Sequence, residues 1–129
     1  MSMSLAETTS DRVSLEIPLD PAHLLITRVF AGGVARSLDL DEETADVLRL
    51  ALTEICSGAI DRRRDGRIVI DVSVDTIPIR VNVVATGAIR GETPVKRTES
   101  PYRLALIQAL VPDTTIVEDE GSLSAMFTL

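Results

Sequence analysis

Residues 68–84 constrain the fold more than any other stretch of the chain. Ile68, Ile70, Val72 and Val74 alternate with Val69, Asp71, Ser73 and Asp75. After a turn near Asp75-Thr76 the pattern repeats, with Ile77, Ile79, Val81 and Val83 set against Pro78, Arg80, Asn82 and Val84. A period of two puts each set on one side of a strand. An apolar side and a mixed side, twice in succession, predict an antiparallel hairpin with one buried face. Such a face has to be covered, and the preceding segment supplies helices to do it. Asp20-Pro21 opens the first, with Asp as cap and Pro where no hydrogen bond is lost. Leu25, Val29 and Phe30 fall on one stripe, continued by Gly33, Val34 and Leu38. Gly32-Gly33 costs a helix roughly 1 kcal/mol per glycine, so close packing against another element is expected there. Asp41 caps the second helix, with Glu42 and Glu43 in its favourable first turn. Val47, Leu48, Ala51, Leu52, Ile55, Ala59 and Ile60 form its broad apolar face. Arg62-Arg63-Arg64 reads as a charge run at the helix end, and Asp65-Gly66 as the stop.

The rest of the chain fits the same plan. Val13, Leu15 and Ile17 alternate in a short strand ended by Pro18. Residues 1–12 read as a flexible N-terminal tail before a single domain over 13–129. Residues 85–99 lose all periodicity and read as a long loop, of the kind that is either functional or disordered. Ser100-Pro101 opens a third helix with Leu104, Ile107 and Leu110 inward, ended by Pro112. Thr114–Glu118 and Ser122–Leu129 read as a last hairpin about Asp119-Glu120-Gly121. The order β-α-α-β-β-loop-α-β-β predicts an α/β (α+β) two-layer sandwich, a mostly antiparallel sheet covered on one face by three helices.

Composition narrows the function. The chain has 129 residues, enough for one domain with a real core. Twenty acidic residues against 13 basic ones give a net charge of −7, which argues against nucleic acid or an anionic membrane as partner. Phe30, Tyr102 and Phe127 are too few aromatics for a base-stacking platform. Cys56 is the sole cysteine and His23 the sole histidine, so neither a disulfide nor a multi-Cys or His-rich metal site is expected. Cys56 lies between apolar neighbours and reads as core. The first twelve residues lack a signal-peptide pattern, and no apolar run is long enough to span a membrane. A cytoplasmic protein is expected.

The segment Ala51-Leu-Thr-Glu54-Ile-Cys-Ser-Gly58-Ala-Ile60 resembles the N-box helix of the histidine-kinase-like (GHKL) ATPases, whose pattern is Glu-x-x-x-Asn. The following hairpin, loop, helix and last hairpin repeat the family's element order over about residues 13–129. The nearest likeness is to the small bacterial anti-sigma factors that double as serine-protein kinases. The resemblance implies a place for each motif residue. Glu54 stands where the family has the Glu that activates water or a hydroxyl. Gly58 stands for the Asn that helps hold Mg²⁺. Ala85-Thr86-Gly87 stands for Asp-x-Gly, so the Asp that accepts from the adenine amino group is replaced by Ala85. Gly87 is kept, Gly91 matches a later lid glycine, and Gly121-Ser122 resembles the Gly-Thr pair supporting the adenine site. Arg28 matches a first-helix arginine used at the family's partner surface.

The resemblance thus implies an anti-sigma-like regulator that binds a sigma factor or an anti-anti-sigma protein, with a degenerate nucleotide site and little or no catalysis. Mg²⁺ takes few ligands from protein, and phosphoryl transfer depends on positioned metal and charge. No cofactor is therefore expected, and ATP with Mg²⁺ only where the degenerate site still binds. Because family members pair through their sheets, a homodimer is compatible with the sequence. The alternative is an active ATP-dependent serine-protein kinase with Glu54 as base. Thr86, Glu92 or Thr93 would then supply the missing metal ligand.

Overall fold

A computed structural model describes residues 7–8, 12–91 and 101–129. The sheet is built from β1 (Glu7–Thr8), β2 (Arg12–Pro18), β3 (Arg63–Ser73), β4 (Arg80–Ile89), β5 (Thr115–Glu118) and β6 (Ser122–Thr128). The helices are α1 (Leu24–Ser37), α2 (Glu42–Arg62) and α3 (Pro101–Leu110). Spatial strand order is β1-β2-β3-β4-β6-β5, and every pairing is antiparallel. The expected two-layer α+β sandwich is what forms.

Register explains the layers. Ile17 faces Ile68, Ile68 faces Ala85, and Ala85 faces Leu123, so one apolar row crosses four strands. Leu15, Ile70, Val83 and Ala125 make the next row. Phe30, Ala31 and Val34 of α1, Leu48, Leu52 and Ile55 of α2, and Ile107 of α3 seal this face. The other face carries Val69, Val84, Ser124 and Val117 in line, of which Val84 and Val117 are exposed.

Caps fall where the sequence places them. Asp20 Oδ1 accepts from Ala22 N at 2.9 Å and starts a short 3-10 turn, Pro21–His23, that leads into α1. Asp41 Oδ1 accepts from Thr44 N at 2.7 Å, and hydrogen bonding to Thr44, through its side chain first and its backbone second, holds the carboxyl below the usual range.

Four local readings are corrected. First, α2 ends at Arg62 and β3 begins at Arg63, with both arginines buried rather than in a solvated charge run. Second, Asp65-Gly66 is not a helix stop but a bulge inside β3, where the register slips between Arg64 and Arg67. A Cβ at Gly66 would stand 1.7 Å from the Thr86 carbonyl oxygen, so only glycine fits. Third, the segment read as a loop from residue 85 stays in β4 as far as Ile89, because β6 pairs it to Thr86 and β3 pairs it on to Ile89. Fourth, the strand expected from Ile77 begins at Arg80; Ile77 is fully exposed in the turn, and Pro78 has no N–H for a ladder. In the segment read as a tail, Glu7 and Thr8 pair with Ser14 and Val13, and Arg12 opens β2.

Candidate functional site

The positions singled out in the sequence fall into three places. Ala85, Gly87 and Ser122 meet where β4 runs beside β6. Ala85 faces Leu123, Thr86 faces Ser122, and Gly87 N donates to Gly121 O at 3.1 Å. Glu54 and Gly58 lie on α2, which packs on β3 and β4. Arg28 stands apart, exposed on α1. Gly91 follows β4 with φ +79°, in an exposed bend. Glu92 and Thr93 lie outside the described residues.

Each of these positions has a plain structural role in view. Ala85 is sealed in the core row. A Cβ on Gly87 would sit 2.6 Å from the Arg64 carbonyl oxygen and 2.7 Å from a Leu19 methyl, so β4 can pass this point only as glycine. Gly58 is buried within α2. The Ser122 backbone N–H donates to Asp119 Oδ1 at 2.8 Å, as does that of Gly121. Those two bonds hold the Asp119 carboxyl below its ordinary range, Ser122 contributing most. Cys56 is buried, and loss of solvent pushes its thiol up to about 12, so it is core as expected.

Arginine organises the site, and sequence reading missed it. Arg63 is fully buried. Its Nη1 donates to Gly87 O at 2.8 Å and Glu120 O at 3.2 Å. Its Nη2 donates to Ser122 O at 2.9 Å, to Asp119 O, and to Glu118 Oε2 at 3.1 Å. One guanidinium thus ties the end of β4 to the β5–β6 turn. Arg62 pairs with the same Glu118. Burial, with Arg62 alongside, draws the Arg63 pKa down, but a guanidinium stays charged. Arg90 closes α2 from outside: its N donates to Arg62 O at 2.6 Å, and its Nε to Arg63 O at 2.8 Å and Ile60 O at 3.2 Å. That satisfies terminal carbonyls and places a cation at the negative helix end.

The third arginine bears on Glu54. Arg103 of α3 donates from Nε to Glu54 Oε2 at 3.3 Å and from Nη2 to Asp61 Oδ2 at 3.1 Å. Glu54, Gly58 and Asp61 follow i, i+4, i+7 spacing and share one face of α2. The trace of this contact in the sequence is the shared face of two acids, Glu54 and Asp61. Among the described residues, no three His, Cys, Asp or Glu side chains group to hold a metal.

The outer face of α1 differs in kind. Leu25 is 67% exposed and Val29 65%. Arg28 and Arg36 are exposed with them, and the helix contains no acidic residue. The sequence reading expected Gly32-Gly33 to pack closely against another element; instead, a Cβ at either would meet nothing within 4 Å. Beside this face, Val13, Phe30, Gly33, Val34, Leu38 and Val74 line an apolar groove of about 410 Å³.

An antiparallel sheet with three helices on one face, α2 packed over β3 and β4, is a fold the chain shares with a solved RsbW-like structure. The chain is similar to the serine-protein kinase RsbW of Listeria innocua serovar 6a, 22% identical over an alignment of 132 positions, gaps included, that covers 88% of this chain and 84% of that one. Among solved structures it is similar to the RsbU and RsbW domains of Rv1364c from Mycobacterium tuberculosis. That match has a TM-score of 0.65 at 16% identity and covers 89% of this chain but 31% of the mycobacterial one. No family model matches the chain. No helix among the described residues is long and apolar enough to cross a membrane.

Proposed function

We propose that this protein is an anti-sigma-type regulator that holds a sigma factor or an anti-anti-sigma protein by surface contact, without help from a nucleotide. The observation that carries the reading is the solvent face of α1. Fully burying a side chain the size of Leu or Val is worth about 1.5–3 kcal/mol, yet Leu25 and Val29 are left out. Two arginines and no acid make α1 a cationic element on a chain of net charge −7, suited to an acidic partner. Gly32 and Gly33 let a partner's backbone approach closely.

The donor set at the nucleotide position does not fit Mg·ATP. Gly58 brings no side-chain oxygen to a cation that demands oxygen ligands. Ala85 presents a buried methyl where an adenine amino group needs an acceptor. Glu54 is engaged by Arg103. No catalytic step is assigned on this reading. The uncovered sheet face, with exposed Val84, Val117 and Met126, supports pairing of two copies through their sheets.

The test is titration of the purified protein against the sigma factors and anti-anti-sigma proteins of its own organism, with no nucleotide present. Micromolar or tighter binding to one of them is expected. Arg28→Glu should weaken it at least about tenfold, the effect of about 1.4 kcal/mol. Unchanged affinity in that variant sinks the contact assignment, and failure to bind any of them sinks the reading.

A second reading is favoured by the Listeria relative, whose name is that of a serine-protein kinase. The chain would then phosphorylate an anti-anti-sigma protein, with Glu54 as base. Transfer of labelled phosphate from ATP to such a protein, lost in Glu54→Gln, would establish it.

A further inference from the structure

The acidic stripe on α2 carries its own cation. Glu54 and Asp61 lie two helical turns apart on one face, with Gly58 between them putting no side chain in the way. The Arg103 guanidinium reaches both carboxylates, at 3.3 and 3.1 Å, with its side chain only 22% exposed. Its planar fork of donors can serve two oxygens at once, which a lysine ammonium on a flexible stem does less well. The helix that carries it is otherwise lightly held. α3 buries a single residue, Ile107, and Tyr102, next to Arg103, is 82% exposed. With so little apolar burial, the seating of the first turn of α3 depends on charge.

We propose that Arg103 is a built-in counter-cation that takes the electrostatic place of a divalent ion on the Glu54–Asp61 stripe and clamps the start of α3 onto α2. The clamp keeps α3 docked in the ligand-free protein. It also occupies the Glu54 carboxylate, so Glu54 is withheld from metal binding and from proton transfer. This deepens the reading of the same site, but it is tested without any partner or nucleotide, so the two stand or fall separately.

Hydrogen exchange of the full chain tests it. In Arg103→Ala, amides of α3 should exchange about three- to tenfold faster, the range for a partly screened ion-pair pair, while amides of β3 and β4 stay unchanged. Arg103→Lys should fall between that variant and the native chain. The exchanged pair Glu54→Arg with Arg103→Glu should recover much of the protection, which a purely steric role would not allow. Magnesium chloride alone should leave α3 exchange in the native chain unchanged, because the position is filled. Unaltered α3 exchange in Arg103→Ala overturns the clamp, as does an exchanged pair no better than Arg103→Ala. Added protection of native α3 by magnesium alone also overturns it.

Discussion

At the corner where β3, β4 and β6 meet, Arg63 is sealed from water and gives its hydrogens to four backbone carbonyls and one carboxylate. On the outer face of α1, Arg28 stands in solvent beside Leu25 and Val29, with open space over Gly32 and Gly33. Both places use arginine, but for different ends. The corner spends its polar groups on itself and is built to stay one shape. The α1 face leaves charge and apolar area uncovered together, which on the proposed function is where a partner seats. On the proposed function, the first set of residues holds the fold and the second meets a partner.

The largest break in that comparison is Arg63→Leu. It leaves four carbonyls without their shared donor and Glu118 with Arg62 alone, and losing one member of a buried charge cluster costs about 3–5 kcal/mol. Denaturant unfolding should show that loss, with partner binding failing only as far as the fold fails. Arg28→Glu should do the reverse: the midpoint shifts within about 0.5 kcal/mol, as for an exposed site, while affinity drops. Smaller still, Gly32→Ala and Gly33→Ala should each stabilise by about 0.5–1 kcal/mol, because helix interiors favour alanine and no atom obstructs the new methyl. Either gain should come with weaker partner binding. A stabilised variant with unchanged affinity would place the partner elsewhere.

The mildest effect concerns pH. The Asp119 carboxylate is held below its ordinary range by the N–H groups of Ser122 and Gly121. A depressed folded pKa contributes stability that is fully present above the unfolded value of about 3.9 and is lost as pH falls through the folded value. Acid unfolding of Asp119→Asn should therefore lack part of the native pH dependence below pH 4, with little change at pH 7.

Much of the fold was legible because alternation and helical spacing are local properties. Ile68 to Val83 announced the hairpin, and Asp20 and Asp41 announced two helix starts. The rest depended on partners far away in the chain. Nothing in Arg62-Arg63-Arg64 itself tells that acceptors for Arg63 arrive from Glu118 to Ser122, so the run read as a helix end. Ala85 to Ile89 is small and glycine-bearing, hence loop-like by itself, and becomes strand because β3 pairs it to its end and β6 as far as Thr86. Gly32-Gly33 shows the opposite error: the cost was visible, but no packing among the described residues accounts for it. Of the site, the positions from Glu54 to Ser122 were legible through their likeness to a family pattern. The arginines that now hold them were not, since that pattern contains no place for them.

The central claim is that surface contact, not nucleotide, runs this protein. Its most direct test is the melting temperature with and without millimolar Mg·ATP and Mg·ADP. A ligand at about 100 times its dissociation constant stabilises by roughly 2.7 kcal/mol, a rise of about 5 °C or more for a domain of this size. The account predicts no rise with either nucleotide. A clear rise with either nucleotide would contradict it.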